Sequence, residues 1–259
     1  MNYETFENDG FIKEFKIELG EILKNLQNKI YLLTKDRIVD HEKNTPLEEK
    51  IILPFKEVPE KQFWSFLMNE INKSDELEKL VSSQEIIKVF KKIFKDPIRF
   101  DISTFRARLP GQKRVLYNWH QDEGTWFVSN KKNLQNKLTA TLWFSINGSN
   151  KNNSIQLVKH SHKKQLYNHS YIHGQGYFNA QINDEPNKEL IYTVNTRASE
   201  AVIFHPLTLH RSVNDRSNEI NLYPRYSIDI RYYEKEKKLD YKTSLLFKLK
   251  KYYKNKSWI

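Results

Sequence analysis

The chain contains no cysteine, so disulfides, thiolate metal sites and cysteine nucleophiles are excluded. No apolar run approaches the ~18 residues expected of a membrane-spanning helix, and no transmembrane segment is expected. The start, Met1-Asn2-Tyr3-Glu4-Thr5-Phe6-Glu7-Asn8-Asp9, is acidic and has no apolar stretch, which argues against a secretory leader. A cytoplasmic protein is expected. Positive charge is plentiful, at a formal +11, but it is gathered nowhere, because lysine and asparagine recur along the whole length. Such a bias disposes the surface towards anions without making a nucleic-acid patch, so nucleic acid is the weaker partner reading.

At 259 residues with 13% aromatics, the chain suits one large domain with a core rich in Phe, Tyr and Trp. Phe11, Phe15, Leu19, Ile22, Leu23, Leu26, Ile30 and Leu33 recur at helical spacing, predicting a helix from about Phe11 to Ile38. Pro46 and Pro54 break the charged stretch that follows. Phe63 to Ile71 and Glu76 to Phe94 read as further helices, the second capped by Ser74 or Asp75. Near Pro97 the pattern changes. Arg99–Arg108, Leu138–Ile146, Ser154–Lys159, Leu190–Val194, Ala201–Val213 and Arg225–Tyr233 are short, β-branched and aromatic, and separated by turn residues. Helices followed by strands suggest a β-sandwich or jelly roll with helices packed outside. The basic stretch from Tyr241 to Tyr253 reads as a covering helix with a solvated lysine face.

The chemistry concentrates in His120-Gln121-Asp122, His210-Arg211-Ser212 and Arg225. Two imidazoles and one carboxylate can hold three adjoining positions on an octahedral iron and leave the rest open. A lone His-x-Asp triplet is a weak signal in a chain with eight histidines. Strand parity strengthens it: in an extended segment residues two apart share a face, which predicts that His120 and Asp122 point the same way. In Arg225–Tyr232 the residues Arg225, Ser227, Asp229 and Arg231 alternate with Tyr226, Ile228, Ile230 and Tyr232. The apolar face would pack on the helices and the charged face would line the interior. A buried arginine there needs an anionic partner; the plainer alternative is that Arg225, Asp229 and Arg231 pair on a solvated surface.

The run Trp119-His120-Gln121-Asp122-Glu123-Gly124-Thr125-Trp126 resembles the first metal motif of the phytanoyl-CoA dioxygenase-like family. So do Leu142–Ile146, Asn152–Lys163, Ala201–Ser212 and Arg225–Tyr232, in the family's order, over about Phe100 to Tyr233. The resemblance implies a mainly β fold, a double-stranded β-helix (jelly roll, cupin-like) at 98–235. A helical N-terminal part at 1–97 and a C-terminal basic helix at 236–259 would complete a single oxygenase domain. It implies iron(II), 2-oxoglutarate and O2. His120, Asp122 and His210 match its metal ligands, Arg225 its binder of the distal carboxylate, Ser212 an assisting serine, and Trp143 an aromatic lying against the co-substrate.

Asn153 and Ser154 replace the usual glycines before Ile155, and His160 the usual glycine before Ser161. Between His210 and Arg225 the loop carries about four more residues than is typical of the family, which leaves Arg216 and Arg231 as alternatives to Arg225. Related halogenases carry a small residue where Asp122 stands, so its carboxylate favours hydroxylation or a related oxidation. His160, His162 and His205 read as structural. The runs Tyr167–Tyr171 and Gly174–Phe178 lie where the family builds its substrate lid, and Tyr171, Tyr177 and Phe178 with Trp126 and Gln175 are the candidates for a stacking and hydrogen-bonding substrate pocket. The expected substrate is a small polar metabolite, anionic or sugar-linked, with a carbohydrate or nucleotide-sugar intermediate favoured. The same chemistry on nucleic acid or protein, or a non-catalytic jelly-roll binding protein, are the alternatives.

Overall fold

The computed structural model describes residues 3–100, 103–111, 117–128, 137–164, 166–174, 177–182, 184–213 and 222–238. At 3, 127–128, 171–174, 177–180 and 238 it describes the backbone alone. The N-terminal part comprises α1 (Tyr3–Asp9), β1 (Phe11–Lys16), α2 (Glu21–Thr34), α3 (Leu47–Lys50), α4 (Lys61–Asn72), α5 (Asp75–Val81) and α6 (Gln84–Phe90). Then follow β2 (Pro97–Arg99), β3 (Thr104–Arg108), α7 (Asp122–Val128), β4 (Lys137–Ser145), β5 (Ile155–Val158), β6 (Ser170–Gly174) and β7 (Tyr177–Gln181). Last come β8 (Ile191–Thr193), β9 (Glu200–Phe204), β10 (His210–Ser212) and β11 (Arg225–Lys238).

A large antiparallel sheet runs β1-β9-β4-β11-β2, with β3 also on β11, and a smaller one runs β10-β5-β8. Together they form the two walls of a jelly roll, and among the described residues no ladder closes them into a barrel. The outer face of the large sheet carries Leu138, Ala140, Leu142, Phe144, Tyr226, Ile228, Ile230 and Tyr232. These share one core with Leu23, Leu26 and Ile30 of α2, Trp64 and Leu67 of α4, and Leu80, Ile86 and Phe90 of α5 and α6. The apolar side of Arg225–Tyr232 therefore packs on the helices, as the alternation required. The inner face pairs Ser227 with Ser145, Asp229 with Trp143 and Arg231 with Thr141. On the other edge of β11, Arg225 faces Arg108 and Ser227 faces Arg106.

Three expectations are corrected. The helix expected from Phe11 begins at Glu21, because Phe11–Lys16 is a strand pairing β9. Phe11 enters the core between the sheets while Ile12 enters the helical core, the opposite-face placement that a strand imposes. Gly10 and Gly20, at φ 87° and 51°, bound the segment in conformations that break a helix. The helix expected over Glu76–Phe94 is two helices, α5 capped by the Ser74 hydroxyl and α6 by that of Ser83. Strand β11 continues to Lys238 where a basic helix was expected from 236; Tyr241 to Tyr253 lie outside the described residues. Among the described residues no helix is long and apolar enough to cross a membrane.

Candidate metal centre

His210 opens β10, and on the side away from β5 it forms an isolated bridge with His120. Each donates its backbone N–H to the other's carbonyl at 3.0 Å. Directly opposed residues of an antiparallel pair project to the same side, so the two rings meet with centroids 4.1 Å apart. Nδ1 of His120 lies 2.7 Å from Asn118 O, and Nδ1 of His210 lies 2.9 Å from Thr208 O. A carbonyl can only accept, so both rings hold their proton at Nδ1 and present a bare Nε2. Burial, and then the neighbouring His210, pushes His120 down to about 3. It is neutral near pH 7, the state a metal ligand requires.

Asp122 does not sit on the extended segment that the His-x-Asp spacing suggested; it is the first residue of α7. Strand parity is therefore the wrong reason for a correct juxtaposition: the chain turns at Gln121, and the first helical residue swings back over the inner wall. There Asp122 Oδ2 accepts from Thr141 Oγ1 at 2.5 Å and from Arg231 Nε at 3.3 Å. Its Oδ1 is left 3.7 Å from His210 Nε2. Burial alone would raise this carboxyl, but Arg231, the two histidines and the Thr141 hydroxyl together hold it well below the usual carboxylate range. His120, Asp122 and His210 are all buried, and each offers a ligand atom within 4.8 Å of the others. That donor set, two nitrogens and one anionic oxygen, suits a divalent iron.

Further along the same wall, Arg225 is 6% exposed. Its Nε donates to Asn153 O at 3.1 Å and its Nη1 to the Ser227 hydroxyl, and its guanidinium lies 5.4 Å from the centre of the Trp143 ring. The alternative Arg231 is engaged by Asp122 and Asp229, and Asp229 also pairs with Arg106. Arg216 is outside the described residues. Among the described residues no carboxylate forms an ion pair with Arg225. Burial, and then the nearby Arg108, push it down to about 9, the direction expected of a buried cation short of negative charge. Beside it, across from Ser227, the Ser145 hydroxyl is fully buried without a hydrogen-bond partner among the described residues.

Trp143 is buried next to Arg225. Ser212 lies on β10 two residues after His210, its hydroxyl accepting from Tyr117 N at 3.4 Å. Trp126 is buried in α7. Tyr177 opens β7, with only its backbone described, and Gln175 is outside the described residues. His160 takes the left-handed φ of 61° that the missing glycine would supply, with its Nδ1 2.8 Å from Asn8 O. His162 Nε2 lies 2.9 Å from Glu7 O, and the His205 ring packs tilted against Phe6, so all three histidines seat the N-terminal helix. Sequence reasoning missed Thr141, Ser145 and His169. The hydroxyls could have been found by extending the period-2 alternation along β4; His169 carries no local signal.

A buried two-histidine, one-carboxylate cluster between the walls of a jelly roll is the donor set of a non-haem iron site. The Phytanoyl-CoA dioxygenase (PhyH) family profile matches residues 12–221, and the chain belongs to that family. It is accordingly a 2-oxoglutarate-dependent non-haem iron oxygenase. The fold is similar to that of EctD from S. alaskensis with 2-oxoglutarate and 5-hydroxyectoine, at 15% identity and a TM-score of 0.57. That match covers 92% of this chain and 77% of that one. It is also similar to the apo form of the non-heme monooxygenase ThoJ, at 13% identity and a TM-score of 0.57, covering 90% and 76%. The non-heme alpha ketoglutarate dependent carbocyclase SnoK from nogalamycin biosynthesis matches at 15% identity and a TM-score of 0.52, covering 90% and 82%. No curated protein sequence matches the chain.

Proposed function

We propose that His120, Asp122 and His210 hold iron(II) and that Arg225 takes the distal carboxylate of 2-oxoglutarate, the pair oxidising a small polar metabolite. The observation that carries this reading is the buried Arg225, which has only neutral partners among the described residues and stands on the wall that leads to the triad. A carboxylate arriving there would supply the charge that the guanidinium lacks and a hydrogen-bond partner for the orphaned Ser145 hydroxyl. Trp143 would flank the co-substrate, with Ser212 as a further hydroxyl on the facing wall. When bound, iron and 2-oxoglutarate supply dioxygen activation coupled to release of succinate and carbon dioxide. The chain's own residues ligate, orient and exclude water: Thr141 and Arg231 hold the Asp122 carboxylate in its ionised form, and the two backbone carbonyls aim the imidazoles.

The helices and the large sheet share one apolar core, which supports reading 1–259 as one oxygenase domain. A small-molecule substrate is supported by the EctD structure holding 5-hydroxyectoine and by the SnoN structure holding nogalamycin RO. Within that class we favour a carbohydrate or nucleotide-sugar intermediate, hydroxylated or otherwise oxidised. The support is the aromatic and amide composition around Trp126, Gln175 and Tyr177, together with the overall positive charge. The test is succinate release under iron(II), ascorbate and oxygen across a panel of sugar nucleotides and other polar metabolites. One panel member should stimulate it, and Asp122→Ala should abolish both turnover and iron binding. Undiminished turnover in Asp122→Ala would remove the proposed ligand set.

A further inference from the structure

His169 lies just before β6, 48 residues from Gln121, and is 1% exposed. Its Nδ1 is 2.7 Å from Tyr167 O, so that nitrogen carries the proton. Its Nε2 is thereby an acceptor, and it receives the backbone N–H of Gln121 at 3.0 Å. That amide belongs to the single residue between the two ligands His120 and Asp122. It is buried, so without an acceptor it would be left unsatisfied. The imidazole is also the packing partner of the first turn of α7: a Cβ at Gly124 would come within 2.6 Å of both of its ring nitrogens.

The Gln121 side chain closes the arrangement from the other direction. Its Oε1 accepts from Tyr167 N and its Nε2 donates to Leu207 O, both at 2.8 Å, and Leu207 leads into His210. The far foot of the β6–β7 hairpin is tied to the same motif, Ile182 N donating to Trp119 O at 2.8 Å. Both feet of the hairpin therefore grip the turn that bears two of the three ligands.

We propose that His169 is a positioning residue: by accepting the Gln121 amide it fixes the turn between His120 and Asp122 in the geometry that binds the metal. The inference rests on the metal-site reading above, and it assigns a function to a histidine outside the three-residue ligand set. A residue that orients ligands at one remove changes metal affinity by roughly 10- to 100-fold when lost. A phenylalanine would fill the same space without offering an acceptor, whereas a glutamine can return one through its side-chain oxygen.

The experiment titrates the full-length apoprotein with cobalt(II), a probe insensitive to air, and reads the dissociation constant and the ligand-field spectrum. His169→Phe should weaken binding by at least about tenfold and perturb the spectrum, and His169→Gln should restore most of both. Binding in His169→Phe within about twofold of the parent would overturn the proposal. So would a glutamine variant that folds yet binds no better than the phenylalanine one. If the phenylalanine variant does not fold, nitrogen-15 spectra of the parent decide. The His169 ring must show a protonated Nδ1 and an accepting Nε2, with a Gln121 amide protected from exchange; the opposite tautomer or a rapidly exchanging amide overturns the proposal. A parent in which His120→Ala and Asp122→Ala leave cobalt binding untouched would instead refute the metal site itself.

Discussion

At Arg225 one side chain carries a desolvation cost that a ligand can remove. A guanidinium buried among neutral partners loses hydration that hydrogen bonds to a carbonyl and a hydroxyl only partly replace. The ligand that removes this cost binds the more tightly for it. Arg225→Met should therefore weaken 2-oxoglutarate binding by about 1.5–3 kcal/mol, roughly 10- to 100-fold. The same change should leave the ligand-free melting temperature equal to or above the parent's, because an apolar side chain carries no desolvation cost. Calorimetric titration and thermal melts check both halves; co-substrate affinity equal to the parent's in the methionine variant would refute the assignment. The residue was legible in the sequence as a charged position on an otherwise alternating strand. That it has no ion-paired carboxylate among the described residues was not, because Asp229 stands four residues away and is taken by Arg106 and Arg231 only once β3 is laid against β11.

Among elements, α7 has seven residues and does the work of bringing a carboxylate to two histidines. Its first turn fits against His169 only because residue 124 has no side chain. Gly124→Ala should overpack this contact and cost about 1–3 kcal/mol of stability, with a parallel loss of cobalt(II) affinity as the Gln121–Asp122 turn shifts. Denaturant melts and metal titration report the two effects separately, and a variant as stable as the parent would show that the contact yields without cost. The helix itself was hidden from periodicity, since seven residues make barely two turns. Strand β1 was hidden for the opposite reason. Its apolar residues fit a helical period, and only the free edge of β9 and the glycines on either side of it decide for a strand.

For the molecule as a whole, the buried histidines outside the metal set predict a weakness to acid. Burial holds His169 at about 4 and His205, packed against His162 and near Lys237, at about 3. Their unfolded value is near 6.5, so on acidification the unfolded chain takes up protons before the folded one does. The sign follows: stability is level above about pH 7.5 and falls as the pH drops through the ordinary histidine range, continuing down towards the folded values. The urea midpoint of the apoprotein should drop between about pH 7.5 and about pH 5, and His205→Gln should drop less. A midpoint that stays flat over that interval would show these rings to be already charged in the fold.

The sequence by itself determined the ligand types, the charged and apolar faces of the last strand, the helices at α2 and α4, and the family. Each of these is carried by local spacing or by residue chemistry that survives without neighbours. Only the tertiary structure decided that Asp122 reaches the histidines from a helix rather than a strand, that among the described residues Arg225 rather than Arg231 stands without an ion-paired carboxylate, and that His169 accepts the amide of the turn between His120 and Asp122. Each of those depends on which distant backbone and side-chain groups satisfy one another once water is gone, and sequence order does not encode that pairing.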